Sequence, residues 1–529
     1  MRIRGQFPLS IFLLIAARLG AFLLMIAGPG GAFFPPAARG QDSNPIPGKV
    51  YVILWFDTED YILPQSDDAA KRLAVFLTQQ GIRATYKIVG EKARVLEQRG
   101  RRDVIGAIAQ HEIGYHSNLH SQHPTPAEYS SFLDWQDGVD EFARRERPGF
   151  DDVKRIFGQP PTCYGQPGSS WTPHAFPALK KWGVKVYLDE APHVGLEGKP
   201  FWYGGLLNIS NTRDGAKLRP TGEEGWEGSR SARARFQEIY LRMTSRREGG
   251  VLSLCFHPCE FIHQEFWDAA NFADGANPPR SSWKLPAIKT PEESEKAFKF
   301  FEDLVVTMKS FPQVEFVTAS QALILFRDTA QKRSFEPATL GTIAAAVGPE
   351  VTFQIHEDFN LSASEVFFLL NQYVAGIIQK DPHLVLLDGT PAGPSSPFDS
   401  VATGNLQSQP GMVVSWGQFS QTVVEVNATM EKTRQIPSAV WFGSRPVSPE
   451  SYLVALAQVT TRLNIRAKPP ESVTIPAARL AASQYVAKNS PDLWTWPIFP
   501  QGFSAPRMMN QAGLQAWTLK PARSVLSAR

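Results

Sequence analysis

The chain has 529 residues, of which 43% are hydrophobic and 20% charged, and its formal net charge is +3 at pH 7. These values are typical of globular proteins and exclude a disordered chain, and the length exceeds what one ordinary core can hold. Because the charge is small for this length and is not gathered into a dense basic block, we expect no nucleic-acid partner.

Residues 1–41 have the pattern of an export signal. Arg2 and Arg4 precede an apolar span, which is followed by the small-residue stretch Pro36–Gln41. A basic start, an apolar span and a small-residue exit direct a chain to export. Arg18 interrupts the span, and a wrongly assigned start codon or a retained membrane anchor are the alternatives to a cleaved signal. The protein is therefore predicted to be exported, as a periplasmic, secreted or membrane-anchored protein.

From residue 48 to residue 328, segments typical of strands and helices alternate. Val50–Phe56 is a predicted buried strand, and Asp67–Gln80 is a predicted amphipathic helix ended by Gly81. The segments that follow are predicted as strand Ala84–Val89, helices Val95–Gln110 and Tyr129–Phe157, strands Val184–Leu188 and Val251–Phe256, helix Glu292–Ser310 and strand Val314–Val317. This alternation predicts an α/β fold with a parallel barrel or sheet, in which functional residues gather at the C-terminal ends of strands.

Candidate metal ligands and proton-transfer groups follow two of these strands and the segment Glu112–Tyr115. The first strand runs into the acidic stretch 57–60, and His257 comes directly after strand Val251–Phe256. His116 and His120 are four residues apart, which places them on the same side of one helical turn and lets both imidazoles reach one cation. Carboxylates at a strand end and a histidine pair are the groups that a mononuclear metal hydrolase needs.

From residue 335 to residue 529 the pattern changes to that of a smaller α+β accessory domain. Leu361–Leu370 and Val447–Leu456 both begin as serine-capped helices, which suggests two related units around residues 351–380 and 435–475. Residues 388–411 are rich in Gly, Pro and Ser and are predicted to form a long loop. No catalytic constellation is recognisable in this region, so we expect it to be a structural or glycan-binding appendage.

Four motifs occur in the order FDTED, HEIGYHSNLH, YGQPG and CFHPCEF. Together they resemble the polysaccharide deacetylase domain (NodB-like, carbohydrate esterase family 4) over residues 48–328. The resemblance implies a distorted (β/α) barrel that hydrolyses N- or O-acetyl groups on sugars. It also implies a divalent metal, which would be zinc, with cobalt or nickel as alternatives.

The resemblance implies a role for each candidate residue. Asp57 matches the general base and His257 the general acid, while His116 and His120 match the metal ligands. Tyr164 matches the loop whose backbone N–H helps to hold the oxyanion.

The third metal ligand is left open between Asp60 and Glu59. In the family's commonest form the metal-binding aspartate directly follows the base, but here Thr58 intervenes. If the strand continues through residue 59, Asp57 and Glu59 share one face and Asp60 points away. If the chain turns after Asp57, Asp60 comes back towards the histidines. We favour Asp60, with Glu59 as the alternative.

Two family features are missing. The loop Tyr164–Gly168 lacks the arginine that supports the base, and the aspartate motif that tunes the acid histidine is not recognisable. Asp189, at the end of strand Val184–Leu188, is the best substitute for that aspartate. The three cysteines, Cys163, Cys255 and Cys259, are expected to be small core residues or to form one disulfide rather than to bind metal.

The sequence therefore predicts a metal-dependent hydrolase that removes acetyl groups from a polysaccharide or cell-wall glycan. Its expected partner is the acetylated glycan, with association to the cell wall or a membrane surface. The alternatives are a cyclic-amide hydrolase on the same fold, and a catalytically impaired glycan-binding protein. The missing arginine and the shifted carboxylate support the impaired alternative.

Overall fold

The computed structural model describes residues 48–190, 192–212, 218, 225–381, 384–398, 411–466 and 468–524. The predicted export segment 1–41 and residues 399–410 of the predicted loop 388–411 lie outside these residues. All described residues belong to one compact unit. Among them, no helix combines the length and the apolar character that crossing a membrane requires.

Of the twenty strands in the described part of the chain, ten form one sheet that curls into a half barrel. In chain order the strands are β1 (Val50–Thr58), β2 (Thr85–Ile88), β3 (Glu112–Tyr115), β4 (Cys163–Tyr164), β5 (Val186–Leu188), β6 (Phe201–Tyr203), β7 (Leu206–Ile209), β8 (Gly250–Phe256), β9 (Val314–Phe316), β10 (Ser334–Phe335), β11 (Glu350–Val351), β12 (Gln354–Ile355), β13 (Asn360–Leu361), β14 (Val385–Leu386), β15 (Met412–Ser415), β16 (Val440–Phe442), β17 (Arg445–Val447), β18 (Ser472–Ile475), β19 (Arg479–Leu480) and β20 (Lys520–Pro521). The sheet order is β20-β6-β7-β5-β4-β3-β2-β1-β8, with β9 also paired to β1. Only the pairings β20–β6 and β6–β7 are antiparallel in this sheet, among the described residues. The predicted α/β fold with a largely parallel sheet, and with further C-terminal elements, is confirmed.

The helices cover the sheet and build most of the C-terminal region. They are α1 (Gln65–Gln79), α2 (Gly90–Gln98), α3 (Arg102–Ile108), α4 (Pro126–Ser130), α5 (Trp135–Phe157), α6 (Ala175–Lys181), α7 (Gly225–Thr244), α8 (Ala269–Phe272), α9 (Pro291–Ser310), α10 (Ala319–Leu325), α11 (Pro337–Ala345), α12 (Ala363–Ile378), α13 (Trp416–Thr433), α14 (Pro449–Arg466) and α15 (Pro506–Gln515). The predicted helix Val95–Gln110 is two helices, because Gly100 adopts a left-handed φ of 67° between them.

The alternation of side chains along β1 decides which residues reach the site. Even-numbered residues such as Val52 and Leu54 pack in the large core that also contains the helices. Ile53 and Trp55 belong to a separate, smaller cluster with Cys163 and Cys255 on the inner face of the sheet. Because strand side chains alternate with a period of two, Asp57 lies on this inner face as well.

The C-terminal region contributes to two cores. Residues between 330 and 475 form a second apolar core around α12 and α14. Residues between 482 and 519 return to the first core, and β20 joins the edge of the large sheet. The predicted boundary at residue 335 and the relatedness of the two C-terminal units stay predictions. Both predicted serine-capped helices are present, since Ser362 Oγ accepts the N–H of Glu365 and Ser448 Oγ accepts that of Ser451.

The three cysteines are free thiols and all are buried. Cys163 and Cys255 pack on the inner face of the sheet, and Cys259 packs in the first core. The expectation of small core residues is therefore confirmed, and the structure contains no disulfide between them.

Buried neutral histidines make the fold sensitive to acid, and we expect His193→Phe to reduce this sensitivity. His193 is fully buried between Trp171 and Trp494, at ring-centroid distances of 5.0 Å and 4.9 Å, and burial lowers its pKa to about 3. Between this pKa and the ordinary value near 6.5, the unfolded chain binds the extra proton, so stability is lost as the pH falls. Phenylalanine keeps the stacking but takes up no proton, which should remove up to about 1.4 kcal/mol of this loss per pH unit below 6.5. Urea unfolding at pH 7 and pH 5 measures the effect.

His123→Gln is the matched control. Burial lowers the pKa of His123, but its contact with Glu128 outweighs burial and raises the pKa overall. This histidine therefore adds stability at low pH, and its removal should increase the acid sensitivity. Equal pH dependence in both variants would contradict the assignment.

Candidate metal centre

Glu59, His116 and His120 form a buried cluster on the inner face of the half barrel. Nε2 of His116 lies 3.1 Å from Oε2 of Glu59, and Nε2 of His120 lies 2.8 Å from the same oxygen. Each of the three residues is at most 3% exposed. The structure thus brings the two predicted histidine ligands together, and their ring centroids are 5.0 Å apart.

The two histidines meet through a loop, so the predicted helical turn is wrong. Ser117 and His120 adopt left-handed φ angles of 67° and 54°, which an α-helix does not contain. The first backbone N–H groups of α2 hold the loop, because Gly90 donates to the carbonyl of Ser117 at 2.9 Å and Glu91 to that of Asn118 at 2.8 Å. The proximity of the histidines therefore depends on a neighbouring helix rather than on helical spacing.

The hydrogen bonds of each imidazole fix which nitrogen carries the proton. His116 Nδ1 lies 3.0 Å from the carbonyl of Gly165, which only accepts, so Nδ1–H donates and Nε2 keeps a lone pair. His120 Nδ1 lies 2.6 Å from Ser121 Oγ, and this hydroxyl in turn donates to Asp268 Oδ2 at 3.1 Å. Ser121 therefore accepts from His120 Nδ1–H, and Nε2 of His120 also keeps a lone pair.

These donors fit a divalent cation. Two imidazole lone pairs face one carboxylate oxygen, an arrangement that is repulsive unless a positive charge lies between them. Nε2 of His120 makes no hydrogen bond of acceptable geometry, despite its 2.8 Å separation from Glu59. Burial lowers the pKa of His116 although the nearby Asp57 acts in the opposite direction, so protonation of this imidazole is disfavoured. Two nitrogens and one carboxylate oxygen could therefore hold a metal ion here.

Glu59 is ionised in this setting. Burial raises its pKa, but the electrostatic effect of the nearby His120 and His257 outweighs burial and places the pKa well below its usual range. The indole Nε1–H of Trp267 donates to Oε1 at 2.9 Å, which leaves Oε2 to face the histidines.

Of the two candidate third ligands, Glu59 lies beside the histidine pair and the favoured Asp60 does not. Asp60 turns away from the histidine pair and accepts the backbone N–H groups of Ile62, at 2.8 Å, and Leu63, at 3.2 Å. Its other oxygen lies 3.1 Å from Nε2 of His263. Asp60 is therefore occupied in shaping the turn that leads into α1.

The predicted base, Asp57, is held by a buried lysine. Lys87 Nζ lies 2.9 Å from Oδ1 of Asp57 and 2.7 Å from Oδ2 of Asp189, and it donates to the carbonyl of Leu188 at 2.8 Å. Asp57 and Lys87 are direct partners in the register of β1 and β2, which explains their contact. Burial raises the pKa of Asp57, but His116 and Lys87 outweigh burial and lower it overall. Lys87 therefore supplies the supporting cation that loop 164–168 lacks.

Two glycines leave room for this lysine. A Cβ on Gly165 would collide with Lys87 Nζ and Asp189 Oδ2, and a Cβ on Gly114 would lie 2.9 Å from Lys87 Cγ. Lys87 is not among the predicted site residues, although a lysine inside the largely apolar strand Ala84–Val89 is a usable signal.

The predicted acid, His257, is half-buried beside the base. Its Nε2 lies 3.6 Å from Oδ2 of Asp57, and its Nδ1 lies 3.1 Å from Oε1 of Glu260. Glu260 therefore orients this imidazole, and the assignment of Asp189 to that role is corrected, because Asp189 binds Lys87 instead. Glu260 could have been found from its position three residues after His257, where a capping box forms.

Tyr164 lies in the core next to the site. Its ring packs against Tyr115, Phe142 and Tyr187, and its hydroxyl is buried without a hydrogen bond. The role predicted here, helping to hold the oxyanion, belongs to the backbone N–H of the loop and not to the Tyr164 side chain. That role stays a prediction.

No known family profile matches the sequence, and no curated protein matches it. Among solved structures, the chain is similar to a 4-alpha-glucanotransferase from Thermococcus litoralis, with 13% identity, a TM-score of 0.38 and 53% of this chain covered. The chain spans 41% of that protein's length. It is also similar to the Puue allantoinase (12% identity, TM-score 0.35, covering 55% of this chain and 96% of the other). A peptidoglycan N-acetylglucosamine deacetylase matches with 14% identity, a TM-score of 0.28 and coverage of 51% and 86%. These similarities concern the fold.

We expect the purified protein to bind one divalent ion, with Glu59 and not Asp60 as the carboxylate ligand. Glu59→Gln removes a charged donor from the cluster, so the Zn²⁺ affinity should fall by more than the roughly tenfold to hundredfold that loss of an outer partner causes. Asp60→Asn should leave the affinity unchanged, because Asp60 faces His263. Titration calorimetry on the metal-free variants measures both. The reverse pattern would restore Asp60 as the ligand.

We expect Lys87→Met to lower the free energy of unfolding by about 3 to 5 kcal/mol, because it leaves two buried carboxylates without their cation. Burial already raises the pKa of Asp189 to about 8. A carboxyl whose pKa is higher in the folded state takes up a proton on folding, so stability is lost as the pH rises. Urea unfolding should therefore show a larger loss at pH 8 than at pH 5.

Lys71→Met is the control for this variant. Lys71 pairs with Asp103 at 3.0 Å, but both side chains are about two-fifths exposed. Its removal should change the free energy of unfolding by less than about 1 kcal/mol, with no pH dependence. Equal losses in the two variants would contradict the role of Lys87.

Proposed function

We propose that the protein is a metal-dependent hydrolase that removes acetyl groups from a polysaccharide or cell-wall glycan. The observation that carries the proposal is one buried cluster in which Glu59, His116 and His120 converge, with Asp57 3.7 Å from His116 and His257 3.6 Å from Asp57. A set of metal ligands with a base and an acid beside it provides the groups that amide or ester hydrolysis needs.

The metal is proposed to be zinc, with cobalt or nickel as alternatives. When bound, the ion would lower the pKa of a water molecule and polarise the acetyl carbonyl. Glu59, His116 and His120 would hold it through one oxygen and two nitrogens, a set that suits zinc and leaves positions open for substrate.

Asp57 is the proposed base. Lys87 and His116 keep its carboxylate ionised and therefore able to take a proton from the attacking water. Lys87 also fixes the carboxylate in place through Oδ1, which leaves Oδ2 directed towards His257. Because the lysine is itself held by Asp189 and a backbone carbonyl, the base is positioned before substrate arrives.

His257 is the proposed acid. Glu260 holds Nδ1, so Nε2 is the nitrogen that faces Asp57. This histidine is the most exposed of the residues assigned here, with 15% of its side chain accessible, which suits a group that must reach the leaving nitrogen or oxygen of a glycan. The backbone N–H of the loop at Tyr164 is proposed to help stabilise the oxyanion.

The catalytically impaired alternative loses its main support. It rested on the missing arginine and on the displaced carboxylate. Lys87 contacts the base where a supporting cation is needed, and Glu59 lies beside both histidines. Both observations favour an active enzyme. We further propose that it acts outside the cytoplasm, because the pattern of residues 1–41 is that of an export signal.

We expect the protein to release acetate from at least one member of a panel of acetylated peptidoglycan, chitin oligomers, exopolysaccharide and acetylxylan. Asp57→Asn should lower the rate by roughly 10²- to 10⁴-fold, because it removes the proton acceptor. Removal of metal with a chelator should abolish release, and added Zn²⁺ should restore it.

Asp60→Asn is the control, because it alters a neighbouring carboxylate that faces away from the cluster, and it should retain activity. Acetate release at equal rates by Asp57→Asn and the unaltered protein would remove Asp57 as the base. Absence of release from every glycan by the zinc-loaded protein would overturn the proposed deacetylation.

A further inference from the structure

We propose that Trp496, from the C-terminal region, positions the metal-binding imidazole of His120 through Asp268 and Ser121. This inference rests on the proposed metal site and adds to it a residue far outside the deacetylase-like segment 48–328. The C-terminal region would then be part of the active site rather than an appendage.

A chain of hydrogen bonds connects the indole to the imidazole. Nε1–H of Trp496 donates to Oδ2 of Asp268 at 3.0 Å, and the hydroxyl of Ser121 donates to the same oxygen at 3.1 Å. Ser121 Oγ in turn lies 2.6 Å from Nδ1 of His120. The indole also packs edge-on against the imidazole, with ring centroids 5.2 Å apart and an interplanar angle of 83°. All four side chains are buried.

The direction of these bonds matters for metal binding. An indole N–H can only donate, so it holds Oδ2 of Asp268 as an acceptor. The Ser121 hydroxyl then donates to Asp268, and its oxygen is left to accept Nδ1–H of His120. Nδ1 therefore carries the proton, and the lone pair of Nε2 faces Glu59. Partners of this kind fix the tautomer and ring orientation of a ligating histidine.

The barrel is shaped to receive this tryptophan. Gly168, the last residue of the YGQPG motif, has a φ of 49°, and a Cβ there would collide with the indole ring of Trp496. Next to it, Ser169 Oγ accepts the backbone N–H of Trp496 at 3.2 Å. The motif thus makes room for the ring with its glycine and binds the backbone with its neighbouring serine.

Further backbone bonds hold the tryptophan segment, residues 490–504, against the barrel. The N–H of Asp274 donates to the carbonyl of Pro497 at 3.0 Å, and the N–H of Gly275 donates to that of Ile498 at 2.8 Å. The segment therefore meets the barrel on both sides of the indole, which fixes the indole N–H on Asp268. If Trp496 only filled space in the core, its indole N–H would not need to donate to Asp268. Removing the N–H while keeping an aromatic ring therefore distinguishes the two roles.

The experiment is Trp496→Phe, which keeps an aromatic ring but removes the N–H. The Zn²⁺ affinity of the metal-free protein should fall about tenfold to a hundredfold, as on loss of an outer partner of a histidine ligand. The visible absorption of the Co²⁺-loaded protein should change as well, because it reports ligand geometry. The matched control is Trp494→Phe, since Trp494 donates to Asn489 and packs on His193 without touching Asp268. The control should change neither readout.

Ser121→Ala tests the same chain from the barrel side, and it serves where Trp496→Phe does not fold. It should lower the Zn²⁺ affinity to a similar extent, and the double variant should bind no more weakly than Ser121→Ala alone, because one chain is broken in both. Unchanged affinity and Co²⁺ spectrum in folded Trp496→Phe or Ser121→Ala would overturn this inference alone. Failure of the unaltered protein to bind Zn²⁺ or Co²⁺ would overturn the proposed metal-dependent function together with it.

Discussion

The buried ammonium group of Lys87 is the interaction on which the site depends. Asp57 and Asp189 are both buried, and their carboxylates lie 2.9 Å and 2.7 Å from its Nζ. A buried carboxylate without a partner costs several kcal/mol, so these two could not share the inner face of the sheet without a cation between them. The ring of Trp55, 4.1 Å from Nζ, adds a favourable cation–π contact. The arrangement lowers the pKa of Asp57, the proposed base, despite its burial.

The surroundings of Glu59 differ from those of Asp57 and Asp189, because no lysine among the described residues pairs with its carboxylate. Around Glu59 the neighbours are imidazoles whose protons are committed elsewhere, to the carbonyl of Gly165 and to Ser121. Lys87 compensates the negative charge of Asp57. Around Glu59, the imidazole nitrogens and the carboxylate oxygen could instead hold an added cation. The ammonium of Lys87 and a metal ion could therefore lie close together, because Asp57 pairs with the ammonium and Glu59 is available to the metal.

The sequence predicted the α/β fold and the residue types of the site well, because these depend on local patterns. Apolar runs that end in Asp57 and His257 indicate strand ends, and parallel strands bring their ends to one edge. The prediction of a helical turn at His116 was wrong, because the first N–H groups of α2 bind the backbone carbonyls of that loop. The choice between Glu59 and Asp60 depended on where the chain turns, and Asp60 forms that turn by accepting two backbone N–H groups.

The sequence by itself determined which donors are present and that they follow strands of one sheet, since alternation and strand order are encoded by neighbouring residues. Only the tertiary structure decided how those donors are supported. Lys87 meets Asp57 through the register of two strands, and Asp189 reaches the same lysine from β5. Trp496 reaches Asp268 across 228 positions of the chain. Contacts of this kind join residues with no local spacing, so they are fixed by packing and by the need to pair buried charges and N–H groups.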